Sequence, residues 1–510
     1  MDVRRDVRNL GRVGRIFREP CLNALSLWYH QGGIGELFRM ISAVKGYRYN
    51  DEPCQKWDLK RPLQAEDIPT MLFYSRRIRE MCFYENNVFK TKQSSFDISL
   101  LLGKVLFPRL RVLSWYSSIT ACNWNLDFVL DSMGDEVTDM LGAVSYRSAP
   151  KFMASMEKRH RQLSYISLWE NEIGQDNVLE ETSRFFRDVL PHAQNLRELH
   201  LENSILQCFD IWGAIPLFPL LGRLTLILTD LESCVPSIPA SYHTLTGVTV
   251  IIKDARVLCR ILDRVSFPNL CEIQLILSDD IDASVLHGVL VSVASACGSQ
   301  LTSLIIAYND YRSVVPDGPI SNEVLGLDDL RLLMEKHPKL EVLDLDVHST
   351  RCLWAMGDGA LQEIVRAWGR RLRVLRLDPD SKWSFESQKC VTLKGLEHIA
   401  LHCPHLTTLG LNFVGVPTAN VRSATVHIEP NGSTTGPQSN YTLRRLDIGC
   451  SPLESLSVSD MALYLSSLLP NLKTIRPAKW MGEQRPRWKM VEDIVLVAGL
   501  ARKQERLVFM

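Results

Sequence analysis

A hydrophobic phrase, Leu-x-x-Leu-x-Leu with one apolar residue exchanged for another, recurs along most of the 510-residue chain. Its clearest copies begin at Leu110, Leu163, Leu196, Leu221, Leu245, Leu270, Leu301, Leu340, Leu372, Leu406 and Leu443. In the x-Leu-x-Leu part, side chains alternate between two faces, which predicts a short strand whose leucines face inward. Because one such strand cannot bury its leucines alone, the recurrence predicts a solenoid of stacked repeats.

Segments between the phrases have helical periodicity, as at Leu361, Ile364 and Trp368. Several of them end at a proline that cannot continue a helix, as in Cys403-Pro404. A unit of helix, turn, strand and loop with this spacing is typical of leucine-rich repeats. The predicted fold class is therefore α/β, a leucine-rich-repeat solenoid with a curved parallel sheet on its concave side, helices outside and a short N-terminal helical segment.

The same pattern predicts the domain organisation. We expect an N-terminal helical segment over residues 1–60, the repeat solenoid over 61–480 and a C-terminal helical cap over 481–510. Residues 414–440 are rich in Ser, Thr, Gly, Pro and Asn, which predicts a mobile insertion within the solenoid.

Composition narrows the class of partner and the compartment. Lys plus Arg and Asp plus Glu both number 58, so no excess charge favours nucleic acid or a membrane surface. The most apolar stretch, residues 285–296, is too short to span a bilayer, and we expect no membrane insertion. The 13 cysteines include no Cys-x-x-Cys pair, and arginines occupy the start of the chain where a signal peptide would be apolar. These features predict reduced thiols in the cytoplasm or nucleus.

Two segments carry a resemblance to a known family. Residues 15–28 read Arg-Ile-Phe-Arg-Glu-Pro-Cys-Leu-Asn-Ala-Leu-Ser-Leu-Trp, which resembles the end of an F-box in fungal, basidiomycete-type F-box proteins with leucine-rich repeats. The matching positions are Phe17, Glu19, Pro20, Leu22, Leu25 and Trp28. Residues 393–411, with their Cys403-Pro404 turn, are similar to the cysteine-containing leucine-rich repeat.

The resemblance implies a non-catalytic, substrate-recognition subunit of an SCF-type ubiquitin ligase, with a protein target on the concave face and the SCF adaptor at the F-box. Residues 1–12 do not match the helix that opens an F-box, so adaptor binding is an open expectation. The alternative is an F-box-deficient repeat scaffold with no ligase role.

Outward positions of the phrases supply the candidate contact residues on the concave face. They are Tyr116, Trp169, Thr225, Ile227, Thr249, Ile251, Gln274, Ile276, Asp344, Asp346 and Arg376. Strand parity predicts that Ile227, Ile251 and Ile276 form an apolar ladder, which is either a recognition patch or a surface covered by other parts of the chain. The charged residues at 344, 346 and 376 are expected to be solvated, with a partner rim as the alternative.

Other candidate chemistry is weaker. Asp230, Asp254 and Asp279 follow three neighbouring strands; helix capping is the favoured interpretation and a cation site the alternative. His398 and His402 precede Cys403, a set that zinc could use, but Cys403 occupies a position where the repeat buries a small side chain. We find no phosphate-binding glycine loop, nucleophile elbow or His-Glu-x-x-His motif, and we expect no enzyme activity and no cofactor.

Overall fold

The computed structural model describes residues 44–48, 55–59, 64–84, 105–116, 129–144, 149–170, 183–202, 206, 210–228, 234–278, 281–308, 324–347, 353–380, 382–383, 390–415, 440, 442–453, 457–478, 481–482 and 484–508. The chain forms two compact units, Met1–Ile227 and Leu228–Met510. Within residues 1–60 the two described stretches are strands β1 (Val44–Arg48) and β2 (Gln55–Leu59), which pair antiparallel. The helix predicted for residues 1–60 is therefore wrong at these two stretches.

The first unit is built from parallel strands, each paired with the next along the chain. They are β3 (Glu80–Tyr84), β4 (Val112–Tyr116), β5 (Asp139–Val144), β6 (Tyr165–Glu170), β7 (Glu198–Glu202) and β8 (Arg223–Leu228). Its helices are α1 (Asp67–Ser75), α2 (Ala149–Arg159) and α3 (Ile211–Ala214), with a π turn at Phe185–Val189 and 3₁₀ turns at Leu190–His192 and Ile215–Leu217.

The second unit repeats the plan with longer helices. Its strands are β9 (Ala240–Ser241), β10 (Gly247–Ile252), β11 (Val265–Ser266), β12 (Glu272–Leu277), β13 (Ser303–Tyr308), β14 (Val324–Leu325), β15 (Val342–Asp346), β16 (Leu353–Trp354), β17 (Val374–Leu377), β18 (Lys382–Trp383), β19 (Val391–Thr392), β20 (Thr408–Gly410), β21 (Phe413–Val414), β22 (Arg445–Gly449) and β23 (Thr474–Pro477). Its helices are α4 (Ala255–Leu262), α5 (Ala283–Ala296), α6 (Leu327–Lys336), α7 (Asp358–Trp368), α8 (Leu393–His402), α9 (Val458–Leu468) and α10 (Gln484–Val508).

The longer strands of the second unit form one parallel ladder, in the order β10-β12-β13-β15-β17-β20-β22-β23. The two-residue strands form separate small parallel ladders, β9 with β11, β14 with β16 and β18, and β19 with β21. This order follows the chain because each strand finds its neighbour in the next repeat. The regular ladder confirms the predicted α/β leucine-rich-repeat solenoid.

Leucines of the phrase form the core, as strand alternation predicts. Leu340, Leu343 and Leu345 are all fully buried. Leu343 and Leu345 lie in register with Leu304 and Ile306 of the preceding repeat. Each repeat therefore buries its apolar side chains against those of its neighbours, which is the source of the solenoid's stability.

A backbone contact fixes the register where each strand begins. The carbonyl of Glu341 accepts hydrogen bonds from the N–H groups of Arg373 and Val374, at 2.7 and 3.2 Å. The carbonyl of Arg111 in the first unit accepts in the same way from Thr138 and Asp139, both at 2.9 Å. One carbonyl thus satisfies two donors of the next repeat, and the residue that carries it is held in place at the edge of the sheet.

Strand β5 was missed from the sequence because glycine replaces a leucine of the phrase. Met140 is fully buried in register with Leu113, but the next inward position is Gly142. A Cβ at Gly142 would lie 2.9 Å from Cζ of Phe152, which belongs to α2 and is also fully buried. The phenylalanine ring therefore fills the space that a leucine occupies in the other repeats.

The Cys-Pro turn closes α8 by burial and hydrogen bonding. Cys403 is fully buried, and its N–H donates to the Ile399 carbonyl at 2.9 Å. Its own carbonyl accepts from the Asn440 side chain at 2.7 Å, and Asn440 Oδ1 accepts from the Leu443 N–H at 3.0 Å. Asn440, predicted to end the mobile insertion, is thus a buried anchor, 3 % exposed. Val414 lies in β21, and residues 416–439 fall outside the described part of the chain.

Helix α10 lies within residues 481–510, the range for which a C-terminal helical cap is predicted. Its Trp488 is fully buried, donates from Nε1 to the Ser451 carbonyl at 2.8 Å and packs edge-on against Phe413. Glu492 accepts from the Ile475 N–H of the last strand at 3.0 Å. The cap thereby covers apolar surface and satisfies a donor at the end of the ladder. Among the described helices, including α10, none combines the length and hydrophobicity that crossing a bilayer requires.

Candidate interaction surface

Each unit exposes one face of its sheet, opposite to the buried leucines, and we call it the open face. In the first unit Trp169 is half-buried there, with its ring centroid 6.4 Å from that of His200. His200 lies in register with Thr225, and Ile227 is two residues further along β8. Burial lowers the pKa of His200, so its imidazole stays neutral at physiological pH. Tyr116 ends β4, and its side chain falls outside the described residues.

In the second unit the apolar ladder has the predicted parity. Thr249 pairs with Gln274, and Ile251 pairs with Ile276, all on the open face and partly exposed. The next strand continues these two rows with Ile305 and Ala307. The two isoleucines at 251 and 276 are therefore adjacent as expected, and Ile227 belongs to the other unit.

Further along the same sheet lies a group of five charged side chains, which we call the charge cluster: Asp344, Asp346, Arg376, Arg445 and Asp447. Arg376 Nη1 contacts Asp344 Oδ1 at 2.9 Å and Asp346 Oδ2 at 2.7 Å, while its Nε contacts Asp447 Oδ2 at 2.9 Å. Arg445 holds Asp447 from the other side, with Nε to Oδ1 at 2.8 Å and Nη2 to Oδ2 at 2.7 Å. The cluster therefore links β15, β17 and β22.

The long reach of Arg376 depends on a glycine. Strand β20 lies between β17 and β22, and its Gly410 is in register with both Arg376 and Asp447. A Cβ at Gly410 would lie 2.8 Å from Cγ and 3.3 Å from Nε of Arg376. The guanidinium can therefore cross over β20 to Asp447 only because that position has no side chain.

Burial governs the electrostatics of the cluster. Arg376 is 9 % and Asp447 is 3 % exposed, so the expectation of a solvated stretch is wrong for Arg376. Burial opposes the charge of Arg376, but the nearby carboxylates of Asp344 and Asp346 outweigh it and hold its pKa above the usual value. Burial also raises the pKa of Asp344, against the attraction of Arg376. The two shifts therefore have different causes: burial raises the pKa of Asp344, and the carboxylates raise that of Arg376.

This arrangement fixes the orientation of two partly exposed carboxylates. Asp344 and Asp346 keep side-chain exposures of 22 % and 21 %, whereas Arg376 lies beneath them. Of the three charged residues predicted to contact a partner, Asp344 and Asp346 are exposed enough to do so. Arg376 instead holds these two carboxylates in position. Sequence reasoning missed Arg445, Asp447 and Gly410, because only the register of the folded ladder places them beside Arg376.

Of the three aspartates that follow neighbouring strands, Asp230, Asp254 and Asp279, the structure describes Asp254. Asp254 precedes α4 and accepts a hydrogen bond from the Arg256 N–H at 2.8 Å, as an N-cap does. This confirms the capping interpretation at Asp254. Asp230 and Asp279 fall outside the described residues.

The residues that zinc could use, His398, His402 and Cys403, make packing contacts in the structure. The rings of His398 and His402 stack with centroids 6.5 Å apart, and burial raises the pKa of the Cys403 thiol to about 12. A thiol that stays protonated is a poor metal ligand. In the described portion of the chain, no group of three or more His, Cys, Asp or Glu side chains has a geometry that could hold a metal ion.

Comparison with known proteins adds two distant structural likenesses. No protein-family model matches the chain, and a search of curated proteins finds no significant match. Rad7 in the yeast Rad7–Elc1 complex is 13 % identical with a TM-score of 0.34, and the match covers 80 % of this chain and 79 % of that chain. The leucine-rich-repeat protein LegL7 from Legionella pneumophila is 12 % identical with a TM-score of 0.29, covering 75 % and 97 %.

The assignment of the fold rests on the chain itself. Its parallel ladder, the buried leucines of each phrase and the repeated carbonyl contact at the strand starts all recur from repeat to repeat. The chain has the α/β leucine-rich-repeat fold.

Proposed function

We propose that this chain is a protein-interaction module, the substrate-recognition subunit of an SCF-type ubiquitin ligase, and that it catalyses no reaction itself. The observation that carries the binding part is the open face of the second unit. There a partly exposed apolar patch lies on the same sheet as two carboxylates whose positions are fixed by a buried arginine.

The chemistry of this face suits a protein target. Apolar contact area supplies affinity, while fixed charges supply orientation and exclude wrong partners. Ile251, Ile276 and Ile305 offer the apolar area, and Asp344 with Asp346 offers acceptors for a lysine or arginine. Because Arg376 holds the two carboxylates in place before binding, a target loses less conformational entropy in docking on them.

The ligase part of the proposal is supported by sequence. Residues 15–28 resemble the end of an F-box, and the Cys403-Pro404 turn resembles the repeat type found in such proteins. Residues 15–28 fall outside the described part of the chain. We place the protein in the cytoplasm or nucleus, where ligase subunits of this kind and reduced cysteines are both expected.

Co-purification tests the ligase role. The tagged full-length chain, expressed in its own organism, is expected to recover the SCF adaptor. A Trp28→Ala/Leu25→Ala variant, altered in the F-box-like segment, is expected to lose the adaptor and keep its other partners. Recovery of partners without adaptor from the unaltered chain would favour the scaffold alternative and contradict the ligase role.

A second pair of variants tests the open face. Ile251→Arg/Ile276→Arg is expected to retain the adaptor and to lose at least one protein that the unaltered chain recovers. The matched control is Ile238→Arg/Leu463→Arg, since these side chains are 74 % and 61 % exposed and lie outside the ladder rows. Equal recovery from both variants would show that targets do not use the open face.

A further inference from the structure

The edge of the second unit where its strands begin differs in charge from the open face. The residue that precedes each strand has its carbonyl fixed by the double hydrogen bond, while its side chain points out of the core. In the last repeats this residue is Arg373, Thr407 or Arg444, whose carbonyls accept the double hydrogen bond, and Lys473 has the corresponding place before the last strand. The basic residues among them, Arg373, Arg444 and Lys473, are exposed. With Arg370 and Arg371, which follow α7, we call them the basic rim.

Part of this rim is concave. A shallow pocket is lined by Arg370, Arg371 and Arg373 from one repeat, Glu341 from the preceding repeat, and His405 and Thr442 from the two that follow. Three arginines and a single acidic residue therefore line this small depression. The basic rim lies on a different surface from the open face and its charge cluster.

The rim arginines keep their charges available. Within the described residues, no carboxylate forms an ion pair with Arg370, Arg371 or Arg373. In this half of the unit, the segments that lead into the strands, 337–341, 369–373, 403–407, 440–444 and 469–473, are described apart from residue 441. Attraction to the carbonyl end of α7 accounts for a cation at 370 or 371. It does not account for Arg373, which lies at the start of the next strand.

We propose that this pocket binds the phosphate of a phosphorylated serine or threonine in a protein partner. A phosphoryl group carries a charge of about −1.5 to −2 at neutral pH, which matches the excess of guanidinium groups over carboxylates in the pocket. Guanidinium groups bind its oxygens through paired, charge-assisted hydrogen bonds. The Thr442 hydroxyl already has three acceptors of its own chain within reach, the carbonyls of Pro404 and Leu406 at 2.8 and 2.9 Å and Asn440 Oδ1 at 2.8 Å, so the arginines and His405 provide the recognition.

The proposal goes beyond the function proposed above, because it assigns a second contact surface and the modification, phosphorylation, that this surface recognises. A partner held at the rim would be recognised only after phosphorylation. The open face and the rim can then be tested separately.

Fluorescence anisotropy with defined peptides tests the pocket. The probes are a labelled Gly-Ser peptide with one phosphoserine, the same peptide with serine, and the same peptide with glutamate, each mixed with the purified full-length chain. The phosphopeptide is expected to bind at least about tenfold more tightly than the other two, because charge-assisted hydrogen bonds to phosphate are lost in both. Binding should weaken as salt is raised.

Two double variants of equal charge change separate the pocket from net charge. Arg370→Glu/Arg373→Glu is expected to weaken phosphopeptide binding at least about tenfold. The control Arg331→Glu/Lys394→Glu alters exposed residues at α6 and α8 and should leave binding unchanged. Arg370→Lys/Arg373→Lys retains the charge and loses the paired geometry, so an intermediate, several-fold loss is expected.

Three results would overturn the proposal. They are no binding of the phosphopeptide to the unaltered chain, equal binding of the glutamate peptide, and an equal loss in the Arg331→Glu/Lys394→Glu control. Thermal unfolding of each variant is measured alongside. If the glutamate variant fails to fold, the lysine variant decides: unchanged phosphopeptide binding by it contradicts the proposal.

Discussion

The charge cluster and the basic rim both contain arginines, but the arginines differ in burial and in ion pairing. In the cluster, Arg376 is buried and bonded to two carboxylates of the neighbouring strand β15 and to one of the more distant strand β22. In the rim, Arg370 and Arg373 are exposed and have no described ion-pair partner. Removing a buried ion-pair partner leaves an uncompensated charge and costs stability, whereas an exposed arginine contributes little to the fold. We infer that the cluster supports the open face and that the rim is available for binding.

The largest effect is expected from breaking the cluster at its centre. Arg376→Gln leaves Asp344, Asp346 and Asp447 close together without their shared cation. The free energy of unfolding of the second unit should fall by about 3–5 kcal/mol. Denaturant unfolding with hydrogen exchange at β15, β17 and β22 measures the loss. A change below about 1 kcal/mol would mean that the cluster does not support these strands.

A smaller loss in the free energy of unfolding is expected from blocking the passage of the Arg376 side chain over β20. Gly410→Ala places a methyl group 2.8 Å from Cγ of Arg376, so the arginine must shift away from Asp447. We expect a loss of about 1–3 kcal/mol in the same unfolding experiment. The control is Gly359→Ala in α7, where nothing lies within 4 Å of the added Cβ. Equal effects of the two substitutions would contradict the role given to Gly410.

A pH-dependent effect is expected at the edge of the cluster. The pKa of Asp344 is raised in the folded chain, so its ionisation costs stability once the pH exceeds the unfolded value of about 3.9. Asp344→Asn should therefore change stability at pH 7 by less than about 1 kcal/mol, in the stabilising direction. Its advantage over the unaltered chain should shrink as the pH falls towards 4. Urea unfolding at several pH values checks this, and an advantage that grows at low pH would contradict it.

The smallest effect on stability is expected at the rim. Arg370→Gln and Arg373→Gln should each change the free energy of unfolding by no more than about 0.5 kcal/mol, because both residues are exposed and neither forms an ion pair with another described residue. Both should weaken phosphopeptide binding. A loss of stability as large as that of Arg376→Gln would remove the distinction between rim and cluster.

The fold was predictable because it depends on local periodicity. Each phrase specifies a strand, its parity and its inward leucines, and the structure confirms all three at Leu340, Leu343 and Leu345. Prediction failed at β5, where the inward position is Gly142 and the filling group, Phe152, comes from a helix. A glycine in the last leucine position of the phrase, followed ten residues later by an aromatic residue, is the signal that could have revealed this strand.

The candidate site was predictable only in part. Parity placed Ile251, Ile276 and Asp344 on the open face correctly. The burial of Arg376 was not predictable, since it depends on Asp447, which is 71 residues away, and on the absence of a side chain at Gly410. The pocket at the rim was missed because only the stacking of successive repeats places Glu341, His405 and Thr442 around Arg370, Arg371 and Arg373, which are close together in the sequence.

Coupling energies test the central comparison most directly. One double-mutant cycle combines Arg376→Gln with Asp447→Asn, and a second combines Arg373→Gln with Glu341→Gln at the rim. The account predicts a coupling of about 1–3 kcal/mol in the first cycle and less than about 0.3 kcal/mol in the second. Negligible coupling between Arg376 and Asp447, or equal coupling in both cycles, would contradict it.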